Sequence, residues 1–237
     1  MTSEPSVVLL YHRIGSPIVR SIVRGQYVAP GLFRRQIGWV ISRGYRAVTL
    51  GEMLSKQAFN GHIAITLDDG YSSARKSACP ILAENEIPAT IYAVAGLIGK
   101  TNEWDVRLGD REETLMTAQE LRELSAAGFE IGSHGMTHAR LTGLPDAELR
   151  IEVADSKKLL EDLIGARVTG FSYPYGDFDA RIRDAVIEAG YVYAASTKKG
   201  VLEPSVDRFA VPRINVRWSN VPTLLMRKIG KAVKRDT

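Results

Sequence analysis

The chain has 237 residues, 45% of them hydrophobic, and a formal net charge of +4. This balance excludes a disordered chain and suits one soluble α/β domain with a sizeable core. Much of the basic excess sits in the final MRKIGKAVKRDT, with no basic stripe interleaved with aromatics, so no nucleic-acid partner is expected; the single cysteine, Cys79, excludes an internal disulfide framework.

In chain order, the first residues, MTSEPSVVLLYHRIG, lack the positive n-region and small-residue cleavage site of a signal peptide, which points to a cytoplasmic enzyme. Short apolar runs then alternate with helical patterns. Strands are predicted at 7–11, 63–67, 89–94, 129–132, 170–173, 191–196 and 210–216, with 47–50 as an extra edge. Helices are predicted at 31–43, 72–85, 117–127, 145–164 and 179–189. Thr117 with Glu120 three residues on forms a capping box, and Gly128, Gly165 and Gly190 close their helices as C-caps.

No linker divides residues 1–221, which read as one domain. Residues 222–237 form a basic tail in which Leu225, Ile229 and Val233 recur every fourth position. That spacing predicts a helix packed on the domain, with contact to an anionic lipid surface as the alternative. Nothing approaches the run of about eighteen apolar residues that a transmembrane helix needs.

Repeated strand–helix alternation predicts parallel strands with right-handed crossovers. For about seven such strands in one domain, a (β/α) barrel leaves no exposed edge. In parallel barrels the working residues come from loops at the carboxyl ends of the strands. Read that way, the first strand is followed by His12, the second by Asp68 and Asp69 of TLDDG, and the third by the long loop GLIGKTNEWDVRLGD. The fourth is followed by SHGMTHARL with His134 and His138, and the fifth by SYPYGDFD.

Asp-Gly is by itself an ordinary turn dipeptide. The chain has only four histidines, however, and two of them stand four apart on the same rim as the aspartate pair. The four-residue spacing puts both imidazoles on one side of a helical turn, within reach of one ion. Two histidines and one aspartate leave a zinc-type ion a net positive charge and an open position, which is a catalytic arrangement. Adjacent aspartates divide the labour, one ligating and the other facing the reacting water; the residues alone leave open which does which.

TLDDG, GSHGMTH and FSYPYG, in that order and each after a strand, resemble the first three motifs of the polysaccharide deacetylase family, the NodB-homology domain or carbohydrate esterase family 4. YHRIG, PATIYAV and EAGYVYAAST extend the resemblance to roughly residues 6–216. It implies a distorted (β/α) barrel that removes acetyl groups from N-acetylated carbohydrate with a divalent ion, usually zinc. It also implies that Asp68 is the general base, that Asp69, His134 and His138 are the metal ligands, and that Tyr175 offers a backbone N–H to the oxyanion.

Two features depart from the family pattern. Ser172 stands where many members carry an arginine that orients the base. No histidine follows His138, although many members place a histidine general acid near the C-terminus. His12 faces the same rim and is the candidate acid or partner of the site, whereas His62 begins its strand and reads as structural. Trp104, in the long loop, is the candidate for stacking on a sugar, and Tyr71 and Tyr173 flank the site by position; Trp39 and Trp218 read as structural. The other readings are hydrolysis of another small amide or imide, and a non-catalytic metal- or carbohydrate-binding relative.

Overall fold

A computed structural model describes residues 5–16 and 21–236. The first four residues, on which part of the signal-peptide expectation rests, and Thr237 lie outside the described residues, as do the side chains of Lys234, Arg235 and Asp236. The strands are β1 (Val7–Tyr11), β2 (Arg13–Ile14), β3 (Tyr27–Val28), β4 (Arg46–Ala47), β5 (His62–Leu67), β6 (Ala89–Ala93), β7 (Glu130–Ser133), β8 (Gly170–Ser172), β9 (Tyr193–Ala195) and β10 (Ile214–Asn215). The helices are α1 (Pro30–Ser42), α2 (Leu50–Ser55), α3 (Ser72–Glu84), α4 (Glu103–Val106), α5 (Ala118–Ala126), α6 (Asp146–Arg150), α7 (Ser156–Ile164), α8 (Ala180–Glu188) and α9 (Pro222–Asp236).

The main sheet runs β10-β1-β5-β6-β7-β8-β9, with β4 added at the start of β5. Every strand pairing in it is parallel, so all carboxyl ends lie at one rim. The sheet curls into a (β/α) barrel-like shell. The segment predicted as one strand over 210–216 is split: Val211 bridges Ala195 of β9, and Ile214 pairs with Leu9 of β1. Pro212 lies between and has no N–H to give a ladder, so the chain steps from one outer strand to the other. Pairing β2 with β3 makes a separate small ladder.

Side-chain alternation along the strands separates two faces. Val7, Leu9, Tyr11, Ile63, Ile65, Leu67, Ile91 and Phe171 face the helices in one buried cluster. Val8, Ala64, Tyr92, Tyr193 and Ala195 fill the inside of the curl in another. Two glycines make room there. A Cβ at Gly132 would stand 2.5 Å from the Tyr92 ring, and one at Gly170 would stand 2.3 Å from the Tyr193 ring. The two hydroxyls meet at 3.2 Å, and Tyr193 donates on to Glu130 at 2.9 Å.

Local signals account for the boundaries. Thr117 and Glu120 form the predicted capping box, and Gly165 caps α7 in the left-handed region at φ 69°. Helix α2, not foreseen as a helix, starts where Thr49 accepts from the Glu52 amide. The helix predicted over 145–164 is interrupted by a π-turn, Ile151–Asp155, between α6 and α7. Helix α9 buries Leu225, Ile229 and Ala232 in the main core, so its apolar stripe is spent on the barrel. No helix among the described residues is long and apolar enough to cross a membrane.

Candidate active site

Alternation aims the site residues before any tertiary contact does. Along β5 the inner positions are Ala64, Thr66 and then Asp68; along β7 they are Glu130, Gly132 and then His134; along β8, Gly170 and Ser172; and along β1, Val8, Leu10 and His12. Asp69 then takes φ 72° and Gly70 φ 73°, a left-handed pair that turns the chain sharply. A Cβ at Gly70 would press on the Ala93 backbone at 3.3 Å. Neighbouring carboxylates are thereby separated, with Asp68 on a buried arginine and Asp69 beside the histidines.

The stretch from His134 to His138 is an open loop rather than the helical turn that four-residue spacing predicts. Gly135 at φ 81° and His138 at φ 64° are left-handed, which no right-handed turn accommodates. The rings converge nonetheless. Asp69 Oδ1 lies 3.2 Å from His134 Nε2 and 3.4 Å from His138 Nε2, and one ligand atom from each of the three lies within 4.8 Å of the others.

His134 Nδ1 sits 2.7 Å from the Ser172 carbonyl, an acceptor that requires the ring proton on Nδ1 and leaves Nε2 a lone pair toward Asp69. Asp69 Oδ1 is buried and has no hydrogen-bond partner of good geometry. Lone pairs converging on a buried, unsatisfied carboxylate oxygen call for a cation, and two imidazole nitrogens with one carboxylate fit a divalent ion of the zinc type. The carboxylates and imidazoles of the cluster favour one another's charged forms. Burial would raise the Asp69 carboxyl, yet the surrounding imidazoles hold it well below the usual range. Burial would lower His134, yet Asp69 and Asp68 hold it above its ordinary value.

Asp68, 2% exposed, is clamped by a residue not foreseen from the sequence. Arg213 Nη1 donates to Oδ1 at 2.7 Å and Nη2 to Oδ2 at 2.8 Å. Ser172 Oγ donates to Oδ2 at 3.1 Å and itself accepts from Arg213 at 2.9 Å. Burial pushes the Asp68 carboxyl up, but the Arg213 charge, then His134, hold it below the ordinary value. Ser172 thus does not leave the carboxylate unheld: an arginine from the 208–216 segment takes the place of one at position 172.

Asp68, Asp69, His134 and His138 line a cavity of about 400 Å³ that also takes in His12, Trp104, Tyr175 and Asn215. A larger groove of about 670 Å³ lies against α6 and α8, drawing no residue from the strand ends. His12 Nδ1 is buried without a partner, and burial holds the ring below its ordinary value, hence neutral near pH 7. Trp104 stacks on His138 at 4.4 Å and 16°, and Tyr175 meets the same ring edge-on at 4.6 Å. Tyr175 takes the left-handed φ of 61°.

Of the two tyrosines expected to flank the site, Tyr173 lines the cavity and Tyr71 does not. Tyr173 continues the outward positions of β8, stacks on Phe178 at 4.2 Å and gives its hydroxyl to the Phe209 carbonyl; it closes the cavity wall from the core. Tyr71 is fully buried beneath Trp104, its hydroxyl bonded to Asp105 and Arg13, and is absent from the cavity lining. His62 contacts the Asn60 carbonyl at the amino end of β5. Trp218 is 47% exposed under Arg24 rather than a core residue. A second unforeseen arginine, Arg13, fully buried, pairs with Asp105 and Glu113 and so fixes the long loop that carries Trp104.

Both arginines carried a signal: each is a charge inside an apolar run, VVLLYHRIG or FAVPRINV.

Comparison with known proteins supplies the family. A family model described as polysaccharide deacetylase matches residues 56–194, taking in Asp68, Asp69, His134, His138 and Tyr175 but neither His12 nor Arg213. The polysaccharide deacetylase relative YxkH of Bacillus subtilis (strain 168) is 27% identical over 214 residues, covering 88% of this chain and 70% of that protein. The poly-beta-1,6-N-acetyl-D-glucosamine N-deacetylase of Staphylococcus aureus (strain COL) is 24% identical over 228 residues, 91% of this chain and 76% of that one. The structure of the Streptococcus pyogenes deacetylase PplD in complex with acetate shares the fold, with a TM-score of 0.81 at 20% identity over 96% of this chain and 99% of that chain. Because the matched span exceeds half of the chain and carries the aspartate pair and both histidines of one buried cluster, the chain belongs to the polysaccharide deacetylase family and is an amide-bond hydrolase.

Proposed function

We propose that this enzyme is a metal-dependent N-deacetylase that releases acetate from an N-acetylated sugar, either a polysaccharide or a lipid- or nucleotide-linked precursor. The observation that carries the reading is the buried convergence of Asp69, His134 and His138 beside an independently clamped Asp68. A divalent ion, most simply Zn²⁺, held by Asp69 Oδ1 and the two Nε2 atoms would supply Lewis acidity toward the acetamide oxygen and toward water.

The chain's own groups do the rest. Asp68, ionised and fixed by Arg213, accepts the proton of the water that attacks the acetamide carbonyl. The Tyr175 backbone N–H, set by its left-handed turn, donates to the developing oxyanion, a contribution of roughly 3 kcal/mol for such a donor. The proton taken by Asp68 must reach the departing amine, and His12, which lines the cavity and has no hydrogen-bond partner at Nδ1, is the relay we assign. Trp104 and Tyr175 form the walls against which the sugar lies. A binding-only relative would have no use for a carboxylate held ionised beside the ligands.

The test pairs metal analysis with acetate release. Zinc-loaded protein is expected to release acetate from one of three classes: N-acetylglucosamine oligomers, N-acetylated glycolipids or nucleotide sugars. Asp68→Asn should keep its zinc and lose about 10²–10⁴ in rate. Failure of the wild type to bind zinc, or inactivity of the zinc-loaded protein on all three classes, ends the proposal.

A further inference from the structure

The loop between the two candidate ligands makes few contacts of its own kind; it is held from outside. Its carbonyls at Gly135 and Met136 accept from the Ala95 and Gly96 amides, each at 2.9 Å. The Gly135 amide donates to Ser133 Oγ at 3.2 Å, and that hydroxyl lies 3.0 Å from Ser156 Oγ. The next two amides, of Met136 and Thr137, both donate to one oxygen, Glu152 Oε2, at 2.8 and 3.0 Å. The Thr137 hydroxyl donates to Glu152 Oε1.

Glu152 is 5% exposed, and among the described residues no basic side chain pairs with it. A buried carboxylate without a cation is costly unless hydrogen bonds satisfy it, and here every donor found comes from the loop between His134 and His138. Its position also has a cause in the helix. Glu152 lies in the π-turn Ile151–Asp155, where the Val153 carbonyl accepts from Tyr191 Oη at 3.1 Å and Ser156 Oγ at 3.0 Å. Such one-residue bulges recur at functional sites because they re-aim a side chain. The fit at the loop is close: a Cβ at Gly135 would stand 2.8 Å from Glu152 Oε2.

We propose that Glu152 is the positioning residue of the metal centre: the π-turn presents its carboxylate to the Met136 and Thr137 amides, and this bond pattern sets the separation of His134 and His138. The inference rests on the metal-site reading above. What matters is the reach of an acceptor to two amides, and its charge is secondary. Glu152→Gln keeps the reach, since its Oε1 can accept both amides while Nε2 donates to Thr137 Oγ1. Glu152→Asp keeps the charge but is one methylene short.

The experiment measures zinc affinity by chelator competition and the visible absorption of the cobalt-substituted protein, with circular dichroism confirming the fold. Glu152→Gln should stay within about threefold of wild type with an unchanged cobalt spectrum. Glu152→Asp and Glu152→Ala should lose about 10–100-fold in affinity, the range for groups that orient metal ligands, and shift the cobalt bands. If Glu152→Asp binds like wild type while Glu152→Gln fails, charge rather than position is at work and the proposal falls. It falls equally if all variants bind alike. Should the alanine variant not fold, the Gln and Asp pair still decides. Wild-type protein that binds no zinc would instead defeat the metal-site reading.

Discussion

Replacing Arg213 by methionine removes the clamp on Asp68 while nearly preserving volume. The guanidinium has five N–H donors, and five hydrogen bonds occupy it: Thr66 Oγ1 at 3.1 Å, the two Asp68 oxygens at 2.7 and 2.8 Å, Ser172 Oγ at 2.9 Å and the Ser196 carbonyl at 2.9 Å. Methionine leaves Asp68 buried with the Ser172 hydroxyl as its remaining side-chain donor. Breaking one side of a buried ion pair costs about 3–5 kcal/mol, which for a chain of this size lowers the melting temperature by roughly 6–20 °C. Catalysis should fall further than stability suggests. A base that is neither reliably ionised nor aimed forfeits most of its contribution, about 10²–10⁴ in kcat, whereas KM should move little because Arg213 is 1% exposed. Arg213→Lys keeps the charge but not the fork, and losing one charge-assisted bond of about 1.5–3 kcal/mol places it about 10–100-fold below wild type. The assay is steady-state acetate release by zinc-loaded protein, with zinc content and thermal midpoint measured on the same samples. Arg213→Met with a full complement of zinc and kcat within about threefold of wild type would refute the assignment.

Three other perturbations probe the supports of the site. Gly176→Ala places a Cβ 1.9 Å from Thr197 Oγ1 at a φ of 74°; it should displace the Tyr175 turn and lower kcat/KM by at least about tenfold, a forced contact with left-handed backbone costing about 1–2 kcal/mol in conformation alone, and unchanged kinetics would show that the turn tolerates the shift. Arg13→Met strands Asp105 and Glu113 and should cost about 3–5 kcal/mol while raising KM through the Trp104 loop, so a thermal midpoint equal to wild type would contradict the buried-pair account. Burial pushes the Cys79 thiol up to about 12. At pH 8 the native protein should therefore resist a thiol-specific disulfide reagent, while guanidinium-unfolded protein reacts with one equivalent; rapid labelling of native protein would speak against the packing of α3.

The parts of this molecule that could be read from sequence are those fixed by local pattern. Short apolar runs predicted β1, β5, β6 and β7 to within a residue or so, and strand-end polarity put Asp68, Asp69, His134 and His138 on one rim. Alternation also assigns side chains to faces. Counting by twos from Gly170 sends Ser172 inward and Tyr173 outward, which is why Tyr173 belongs to the core with Phe171. The same count from Val8 sends His12 inward. What local pattern could not show is which distant residue answers a buried charge. Arg213 lies 145 positions from Asp68, and the two meet only because Pro212 breaks a strand and the chain crosses between β9 and β1. Glu152 is in the same class, since its aim depends on a π-turn inside a helix whose periodicity looks unbroken.

Backbone strain ties these observations together. Among the described residues, five other than glycine have positive φ, and three of them are Asp69, His138 and Tyr175: two candidate ligands and the residue assigned to the oxyanion. Each such conformation costs on the order of 1–3 kcal/mol and persists only where its surroundings over-determine it. Those surroundings are identifiable. Gly70 against Ala93 holds the turn at Asp69, Glu152 with Ala95 and Gly96 holds the loop that ends at His138, and Gly176 against Thr197 holds Tyr175. The strained residues touch the reaction and their supports do not, so relaxing a support should let its residue drift out of place while the fold survives. Metal affinity and kcat should accordingly be lost at milder perturbation than the thermal transition at each of the three positions.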